Sequence, residues 1–593
     1  MATEAEVDLP KLWGALEKDL NVLEKFCTKR LELVKEAVGD NYAMDSECPT
    51  NPINLLSQYE RIITGHIVGA EPRGMVSTFK AERRRDATIF ESWMNKKLAK
   101  MKFGNIARRA LQGALYLIGI TRTAITAPAE ARFGGYGKQA GVPTISTIDF
   151  EDFVCDTRAR CWEQCEYMGH RYEVLHEDVR KSPLFKKRAR LKVVPADDKL
   201  YNESGGEKIR TLTRDNEDSH RYQDTVELYE VWLRRENVVV TFDANGDMRE
   251  PLLVQKWIGP ACGPYQFLSF LDVLGNLIPK APMMDLVHLA RSVNLLWCKV
   301  DNQASDAKRV IAYQNAEDAE KFKNAPDGGW VQATSPDAIK EVTVRTIDQN
   351  TALWAQNSEK FFSKMAGNLD SLGGLGAQAD TATQEKMIAE NSSSLIHYMS
   401  IRFVEFAQEC MNSLGWFWWY NPHDTMESEY HVPGMEAYQV TQQLTPSDRL
   451  GKNLDDMDIV IDPHSLIHQT PQMKLNIINN VMEKQVIPLL PMFSQPGISE
   501  VLDKWIRIQA KLANVPELLE IVEPLLNVQA PPQSDQSGDP AEQGMPPETT
   551  RTYERISKPG TTDNGQRQIL EQLMAGGQTN QGGGMESMMG RAG

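Results

Sequence analysis

The sequence predicts an α+β protein that is mainly helical. Apolar residues recur at helical spacing through most of the first hundred residues, and again after residue 283. Between these regions, short runs that alternate apolar and polar residues predict a β-meander. The chain has 593 residues, 41% of them apolar, which is enough for about three to five structural units with a sizeable buried core.

Helical spacing at residues 11–34 and 54–116 predicts that the N-terminal region is built from helices. A β-branched run at 121–126 then predicts a strand, and residues 142–156 predict a strand and a turn. Residues 157–180 are expected to form a helix that ends before Pro183. The strands of the meander are predicted at 225–233, 237–242 and 251–258.

The next region is predicted to be two helices separated by a short insert. Pro282 lies just ahead of a helix expected over 283–305, close to its first position, which is a favourable place for a residue without an amide proton. Strands at 309–313 and 341–347 are expected to bracket a polar insert, and a second helix follows over 350–366.

A glycine-rich stretch at 367–379 is too rich in glycine to be helical and is expected to be a flexible loop. It leads into a long helix predicted over 381–414, which the aromatic run WFWWY at 416–420 follows. Such a run more often packs in a core or an interface than stacks on bases. A strand is expected at 458–461, and short helices between 471 and 526.

The charge balance disfavours a protein that holds nucleic acid on a broad basic surface. The chain carries 81 acidic and 65 basic side chains, a net charge of -16, whereas tight phosphate binding needs clustered Lys and Arg. A short basic run, Lys186 to Arg190, is interpreted as a solvated face or an ion-pair partner for another subunit. Any contact with DNA should be loose.

Eight cysteines spread over the chain predict reduced thiols rather than a disulfide scaffold. The N-terminal residues show neither the basic nor the apolar region of an export signal. No window has the roughly 18 consecutive apolar residues of a membrane span. These features predict a soluble, intracellular protein.

The motifs of common enzyme classes are absent from the sequence. It has no GxxxxGK[ST] phosphate loop, GxSxG elbow, HExxH or paired CxxC, so no catalytic or cofactor-binding residue is predicted. The best metal candidates are Cys155, Cys161, Cys165, His170 and His176. Their spacing fits zinc poorly, and ordinary buried thiols are the favoured interpretation, so no metal is predicted. Asp455, Asp456 and Asp458 are interpreted as a solvated acidic turn.

The order of these parts, more than any single residue, resembles the portal protein of tailed bacteriophages. Three stretches carry the resemblance: ISTIDFEDFVCDTRARCWEQCEYMGHRYEV (145–174), IPKAPMMDLVHLARSVNLLWCKVDNQASDAKRVIAY (278–313) and TATQEKMIAENSSSLIHYM (381–399). The likeness extends over residues 1–525 and is one of architecture rather than of a catalytic signature.

The resemblance implies a portal fold with wing, stem, clip and crown regions, assembled as a ring. The implied regions are a wing and body (1–282), a first stem helix (283–305), a clip (306–347), a second stem helix (348–366), a tunnel loop (367–381), a long helix that returns to the wing (382–465), a helical crown (466–530) and a low-complexity tail (531–593).

The implied function is a structural one, without enzymatic activity or a cofactor. Portal proteins form rings, typically of twelve subunits, at one capsid vertex of the virion, and are assembled in the host cytoplasm. Their clip docks the terminase large subunit and then the head-tail adaptor, and the ring also meets the major capsid protein and scaffolding protein. Double-stranded DNA passes through without sequence-specific contacts, and the terminase hydrolyses the ATP.

Three sets of residues are candidates for these roles. The channel loop would contain Leu369, Leu372, Gly373, Gly374, Leu375 and Gly376. The stem would present the apolar stripe Leu286, Leu289, Val293 and Leu296, which one subunit alone would have difficulty covering. Trp330 would anchor a partner at the clip, although it could instead form the insert's own small core.

Other interpretations remain open at this point. The glycine-rich loop could be an ordinary surface connector. The protein could be another ring-forming structural or adaptor protein of a virion that has no DNA channel. A metal-dependent nuclease that uses the clustered acids is a third hypothesis, although nothing in the spacing of these acids supports it.

Overall fold

The computed structural model describes most of the chain up to residue 483. The described residues are 8–39, 53–126, 141–182, 185, 223–244, 251–326, 330–332, 335, 339–344, 348–372, 382–432, 435–462, 465, 475, 478–483 and 505. The chain divides into two units, Met1–Val528 and Gln529–Gly593, and the second lies wholly outside the described residues.

Helices and strands are interspersed along the first unit. The helices are α1 Leu9–Val38, α2 Leu55–Ile67, α3 Arg84–Met101, α4 Phe103–Tyr116, α5 His176–Lys181, α6 Pro282–Asp306, α7 Ala316–Lys323, α8 Gln349–Met365, α9 Leu369–Leu372, α10 Ala382–Trp419 and α11 Pro446–Arg449. The strands are β1 Gly74–Ser77, β2 Gly119–Ile125, β3 Pro143–Ile148, β4 Phe153–Cys155, β5 Tyr167–Leu175, β6 Thr225–Leu233, β7 Val238–Asp243, β8 Leu253–Lys256, β9 Tyr265–Leu268, β10 Lys308–Tyr313, β11 Ile339–Val344, β12 Met426–Val432, β13 Met435–Leu444 and β14 Asp458–Ile461. The predicted α+β class is confirmed.

The larger sheet has the strand order β4-β5-β6-β7-β8, and its neighbouring strands are antiparallel. The three strands of the predicted meander are β6, β7 and β8, so that prediction is confirmed. Asn237 has a φ of 53° in the turn before β7, a conformation that Asn tolerates better than most residues. A second sheet has the order β3-β2-β9, and β1 pairs with β14.

The helix predicted over 157–180 is wrong. Residues Tyr167–Leu175 form β5, which pairs along its whole length with β6, and only His176–Lys181 is helical. Within β5, a Cβ atom added to Gly169 would lie 2.7 Å from the carbonyl oxygen of Glu230, so glycine permits the two strands to approach. Cys161 and Cys165, which the predicted helix would place on one face, instead flank a single 3₁₀ turn at Trp162–Gln164.

The main core is built around the C-terminal half of α10. Buried side chains of α2, α3, α4 and α6 pack with it. The predicted aromatic run is the end of this helix, where Trp418 packs edge-on against Trp93 and Trp419 against Phe90, with ring centroids 5.5 and 5.4 Å apart. This confirms the interpretation that the run packs in a core. Such pairs contribute about 0.5–1.5 kcal/mol each beyond the apolar area that they bury.

A second core lies beneath the larger sheet. Leu12, Leu16 and Leu23 of α1 pack there, whereas Leu33 near the end of α1 belongs to the main core. Arg30, on the same helix, forms an ion pair with Asp149, just after β3. The single long helix α1 therefore connects both cores.

A buried hydrogen-bond network joins the smaller sheet to α10. Thr121 and Thr123 of β2 donate to Oε1 of Gln266 in β9, at 3.3 and 3.0 Å. The amide nitrogen of Gln266 donates to Oγ of Ser413 in α10 at 3.1 Å. Because these polar groups are buried, each needs its partner, and the network fixes the register of sheet against helix.

Several elements differ from the sequence-based expectations. The hairpin β12–β13 and the strands β1 and β9 are not predicted by the sequence, and α10 continues to Trp419 rather than ending at 414. The predicted strand at 458–461 is confirmed as β14. The basic run 186–190 and the tail 531–593 lie outside the described residues, as do the predicted helices of 471–526 almost entirely.

The C-terminal end of α10 is capped by a buried arginine. Arg449 donates to the carbonyl oxygens of Trp418 and Trp419 at 2.8 and 2.6 Å, and to those of Asn421, at 3.0 Å, and Asp424. The last carbonyl groups of a helix have no partner within the helix, so this guanidinium satisfies them.

Replacing Arg449 with Gln should therefore lower the free energy of unfolding by roughly 2–4 kcal/mol, since buried carbonyl groups would lose charged donors. Urea unfolding followed by tryptophan fluorescence reports on this region through Trp418 and Trp419. Arg84→Gln, at an exposed position, is the control and should change the free energy by less than about 0.5 kcal/mol. Equal effects of the two substitutions would contradict the capping role.

Candidate functional site: paired helices that carry a β-hairpin

The helices α6 and α8 pack against each other, and a β-hairpin connects them. The amide of Asp348, which caps α8, donates to Oε1 of Gln303 near the end of α6 at 3.0 Å. Because the end of α6 meets the start of α8, the two helices run in opposite directions. Both predicted helices are confirmed to within about one residue, and Pro282 is the first residue of α6.

The predicted stem stripe is largely covered within one chain. Leu286 and Val293 are buried in the main core, and Leu289 is partly buried against it, whereas Leu296 is half-buried. Helices α1, α2, α4 and α8 all contact α6. The expectation that one subunit could not cover this stripe is therefore wrong, since the N-terminal half of α6 faces the chain's own core.

An uncovered apolar face lies instead on α8. Trp354, Phe361 and Met365 are 57%, 50% and 57% exposed. Their spacing of seven and four residues places them on one side of the helix, beside the face on which Phe362 is buried. Leu295 on α6 is also exposed. A contiguous apolar face of this kind, which we call the α8 face (Trp354, Phe361 and Met365), is typical of a surface that meets another protein.

The hairpin between the helices is formed by β10 and β11, which pair from Lys308 with Val344 to Tyr313 with Ile339. The predicted strands are thus confirmed, and α7 lies between them, where no helix was predicted. Trp330 is fully exposed. It does not form a small core of the insert, and an indole exposed in this way is a suitable anchor for a partner.

The start of the predicted channel loop is not a flexible loop. Helix α8 ends where Gly367 and Asn368 adopt left-handed backbone conformations, with φ of 89° and 58°, and residues Leu369–Leu372 then form the single turn α9. Leu369 is buried in the main core, so its assignment as a channel-lining residue is wrong. The carbonyl oxygen of Leu372, a half-buried residue, lies 3.0 Å from Nε2 of His66.

The remaining predicted residues of the channel loop, Gly373, Gly374, Leu375 and Gly376, lie outside the described residues. The chain turns between α8 and α10 before these glycines are reached, because the left-handed Gly367 and Asn368 already end α8.

The thiols and imidazoles considered as a metal site do not form a group that could bind a metal ion. Burial raises the pKa of Cys155 and raises that of Cys165 to about 12, so both thiols are protonated at neutral pH. His170 is buried, and its Nδ1 lies 2.8 Å from the hydroxyl of Tyr265. Among the described residues, no group of three or more His, Cys, Asp or Glu side chains could hold a metal ion.

Two expectations about charged and sulfur groups need correction. Asp456 is not part of a solvated turn: its carboxylate pairs with Lys80 and Arg83 at 2.5 Å each, and the hydrogen bond from Lys80 lowers its pKa.

Cys298 is disulfide-bonded, whereas six other cysteines are free as expected, namely Cys27, Cys155, Cys161, Cys165, Cys262 and Cys410.

Comparison of the chain with protein-family models and with curated proteins gave no match. Within the described ranges, no helix combines the length and the apolar character that crossing a membrane requires.

The position of Val293 predicts how a charge there would act. Val293→Asp should lower the free energy of unfolding by roughly 3 kcal/mol or more, because a carboxylate would be buried without a partner. His288→Asp, at an exposed position of the same helix, is the matched control and should leave stability nearly unchanged. Thermal unfolding followed by circular dichroism distinguishes the two. A stable Val293→Asp chain would show that α6 is not packed as described.

Proposed function

We propose that the protein is the portal protein of a tailed bacteriophage, a ring of twelve copies at one capsid vertex through which double-stranded DNA is packaged and ejected. The observation that carries the proposal is the pair α6 and α8. These antiparallel helices leave the main core, carry a β-hairpin at their end and keep an apolar face uncovered. The order of elements that resembles portal proteins supports the same function.

In the proposed ring, the α8 face of each subunit packs against the neighbouring copy. Covering Trp354, Phe361 and Met365 would remove apolar side chains from water, and each large side chain that becomes fully buried contributes about 1.5–3 kcal/mol. A cyclic ring repeats the same heterologous contact until it closes. The antiparallel helix pairs then form the stem, and the hairpins form the clip at its end.

The clip is the proposed docking site for the terminase large subunit and later for the head-tail adaptor. Trp330 is exposed on the insert, and the bodies of the subunits would meet the major capsid protein and scaffolding protein. In this function the protein is not an enzyme, since the terminase supplies the energy of ATP hydrolysis. The proposed location is the virion, after assembly in the host cytoplasm.

Charge suits a channel through which DNA must slide. With a net charge of -16, the chain offers few clustered cations that would trap the phosphate backbone along the path. The proposed contact between channel and DNA is steric and does not depend on sequence.

The α8 face provides a direct test of the ring. Trp354→Glu combined with Phe361→Glu should prevent assembly, because both carboxylates would have to be desolvated at the contact between subunits. Light scattering should then report the 66.8 kDa monomer, whereas the unchanged chain should have the mass of a closed oligomer. Gln356→Glu adds a charge at an exposed position on the opposite side of α8 and should leave the oligomer intact. An unchanged mass of the double variant would contradict the proposed contact.

Trp330 tests the docking role separately. Trp330→Ala should leave the mass of the ring unchanged and weaken binding to the terminase large subunit of the same phage by about tenfold or more, as expected for an aromatic anchor. Calorimetric titration of the assembled ring measures this. The control is Gln332→Ala, which truncates another exposed side chain of the insert and should leave the affinity nearly unchanged. Equal affinities of the Trp330→Ala and unchanged rings would exclude Trp330 as the anchor.

A further inference from the structure

A cavity of about 1370 Å³ lies between α10 and one end of the larger sheet. Part of its wall is aromatic: Trp162 and Phe267 stack with ring centroids 3.8 Å apart, and Phe406 and Trp416 of α10 also line it. We call this space the acidic cavity, because six carboxylates and three arginines line it: Glu163, Asp272, Glu405, Glu409, Asp455 and Asp458, with Arg160, Arg234 and Arg402.

The arginines leave much of this negative charge uncompensated. Arg402 pairs with Asp272 and lies 3.5 Å from Glu405, while Arg234 donates to the main-chain carbonyl of Glu163 rather than to its side chain. Burial, together with the nearby carboxylates of Glu163 and Glu405, raises the pKa of Glu409. The cavity therefore has a negative potential and an aromatic wall, a combination that favours a basic peptide containing apolar residues.

The chain itself contains such a peptide. Residues 185–192 read FKKRARLK, with five positive charges, Phe185 and a leucine. The structure describes the first of these residues, Phe185. The others belong to residues 186–222, which lie outside the described part of the chain. The proposed occupant is thus a segment of known sequence whose starting point in the fold is known.

That starting point is remote from the acidic cavity of the same chain. Phe185 packs near Val174 and Val226, at the end of β5 and the start of β6. The cavity is lined by Met168 and Arg234, at the opposite end of the same strand pair. Val174 and Met168 are six residues apart along β5, or about 20 Å. Seven fully extended residues cover about 24 Å, so at most the last residues of the basic run reach the rim of the cavity of their own chain, and the run as a whole is too short to fill it.

We propose that the acidic cavity receives the basic segment 186–192 of a second copy of this chain. The segment emerges at one end of the larger sheet and the cavity opens at the other, which gives a head-to-tail contact of the kind that closes a ring. Cationic side chains meet the free carboxylates, and Leu191 reaches the aromatic wall. The inference rests on the proposed function in one respect, namely that neighbouring copies are present.

The test uses a labelled peptide of residues 185–192 and the full chain with its own run neutralised by Lys186→Gln, Lys187→Gln, Arg188→Gln and Arg190→Gln. Neutralisation leaves the cavity available to the peptide. Fluorescence anisotropy should show binding that weakens as salt is raised from about 0.05 to about 0.3 M, because the Debye length falls from roughly 14 to roughly 6 Å over this range. A peptide with Gln in place of its Lys and Arg residues should not bind.

Three exposed acids of the cavity provide the decisive variant. Adding Glu163→Gln, Asp455→Asn and Asp458→Asn to the neutralised chain should weaken peptide binding by about tenfold or more. The matched control removes three exposed acids elsewhere, Glu17→Gln, Glu82→Gln and Asp301→Asn, and should leave the affinity within about twofold. Equal affinities of these two variants would overturn the proposal.

Light scattering of the unchanged chain separates this proposal from the proposed ring. An unchanged chain that is monomeric at every concentration, together with a neutralised chain that binds the peptide through the cavity, supports the docking site and contradicts the ring. A closed oligomer whose affinity for the peptide does not depend on the cavity acids contradicts the docking site and leaves the ring standing.

A photo-activated cross-linker at position 188 of the unchanged chain identifies which copy supplies the segment. Cross-links to the cavity should join two chains and double the mass on a denaturing gel. Cross-links that reach the cavity only within one chain would overturn the proposal.

Discussion

Burial of the C-terminal half of α10 is the constraint on which the rest of the chain depends. Phe403, Phe406, Cys410, Leu414 and Trp418 are buried, and α2, α9, β2, β3, β9 and β14 all pack against this helix. Each fully buried side chain of this size contributes about 1.5–3 kcal/mol, so no neighbouring element can shift without a large loss. The same helix carries the hydrogen bonds to the smaller sheet and the end that Arg449 caps. Buried residues of α6 and α8 belong to the same core, so the packing of α10 also positions the helix pair that carries the hairpin.

The long helices could be predicted from the sequence because a period of 3.6 residues repeated over many turns is a strong local signal. Strand β5 could not, because Tyr167–Leu175 becomes a strand through pairing with β6, which is some sixty residues away along the chain. The hairpin β12–β13 has a local signal in the sequence, the Pro433–Gly434 pair between two runs of alternating residues, so this element was predictable. Local sequence patterns thus predict individual helices and strands well, but they do not predict which distant segments pair with each other.

The candidate site was predictable in outline but not in its exposed surfaces. Pro282 and the apolar spacing fixed the start of α6, whereas the covering of Val293 depends on helices far away in sequence. For the same reason, the apolar face of α8 could not be located without knowing which side of the helix the core covers. Gly373, Gly374 and Gly376 predict that the helix is interrupted after α8. The interruption occurs slightly earlier, at Gly367 and Asn368, where a left-handed backbone conformation ends the helix.

The central claim is that copies of this chain form a ring with a channel for DNA, and electron cryomicroscopy of the purified full-length protein tests it most directly. We predict a closed ring with a central hole wide enough for duplex DNA and a stalk made of the α6 and α8 pairs, ending in the hairpins. A particle with a single copy would contradict the claim. So would a closed ring without a central channel, which would instead indicate a structural or adaptor protein that does not conduct DNA.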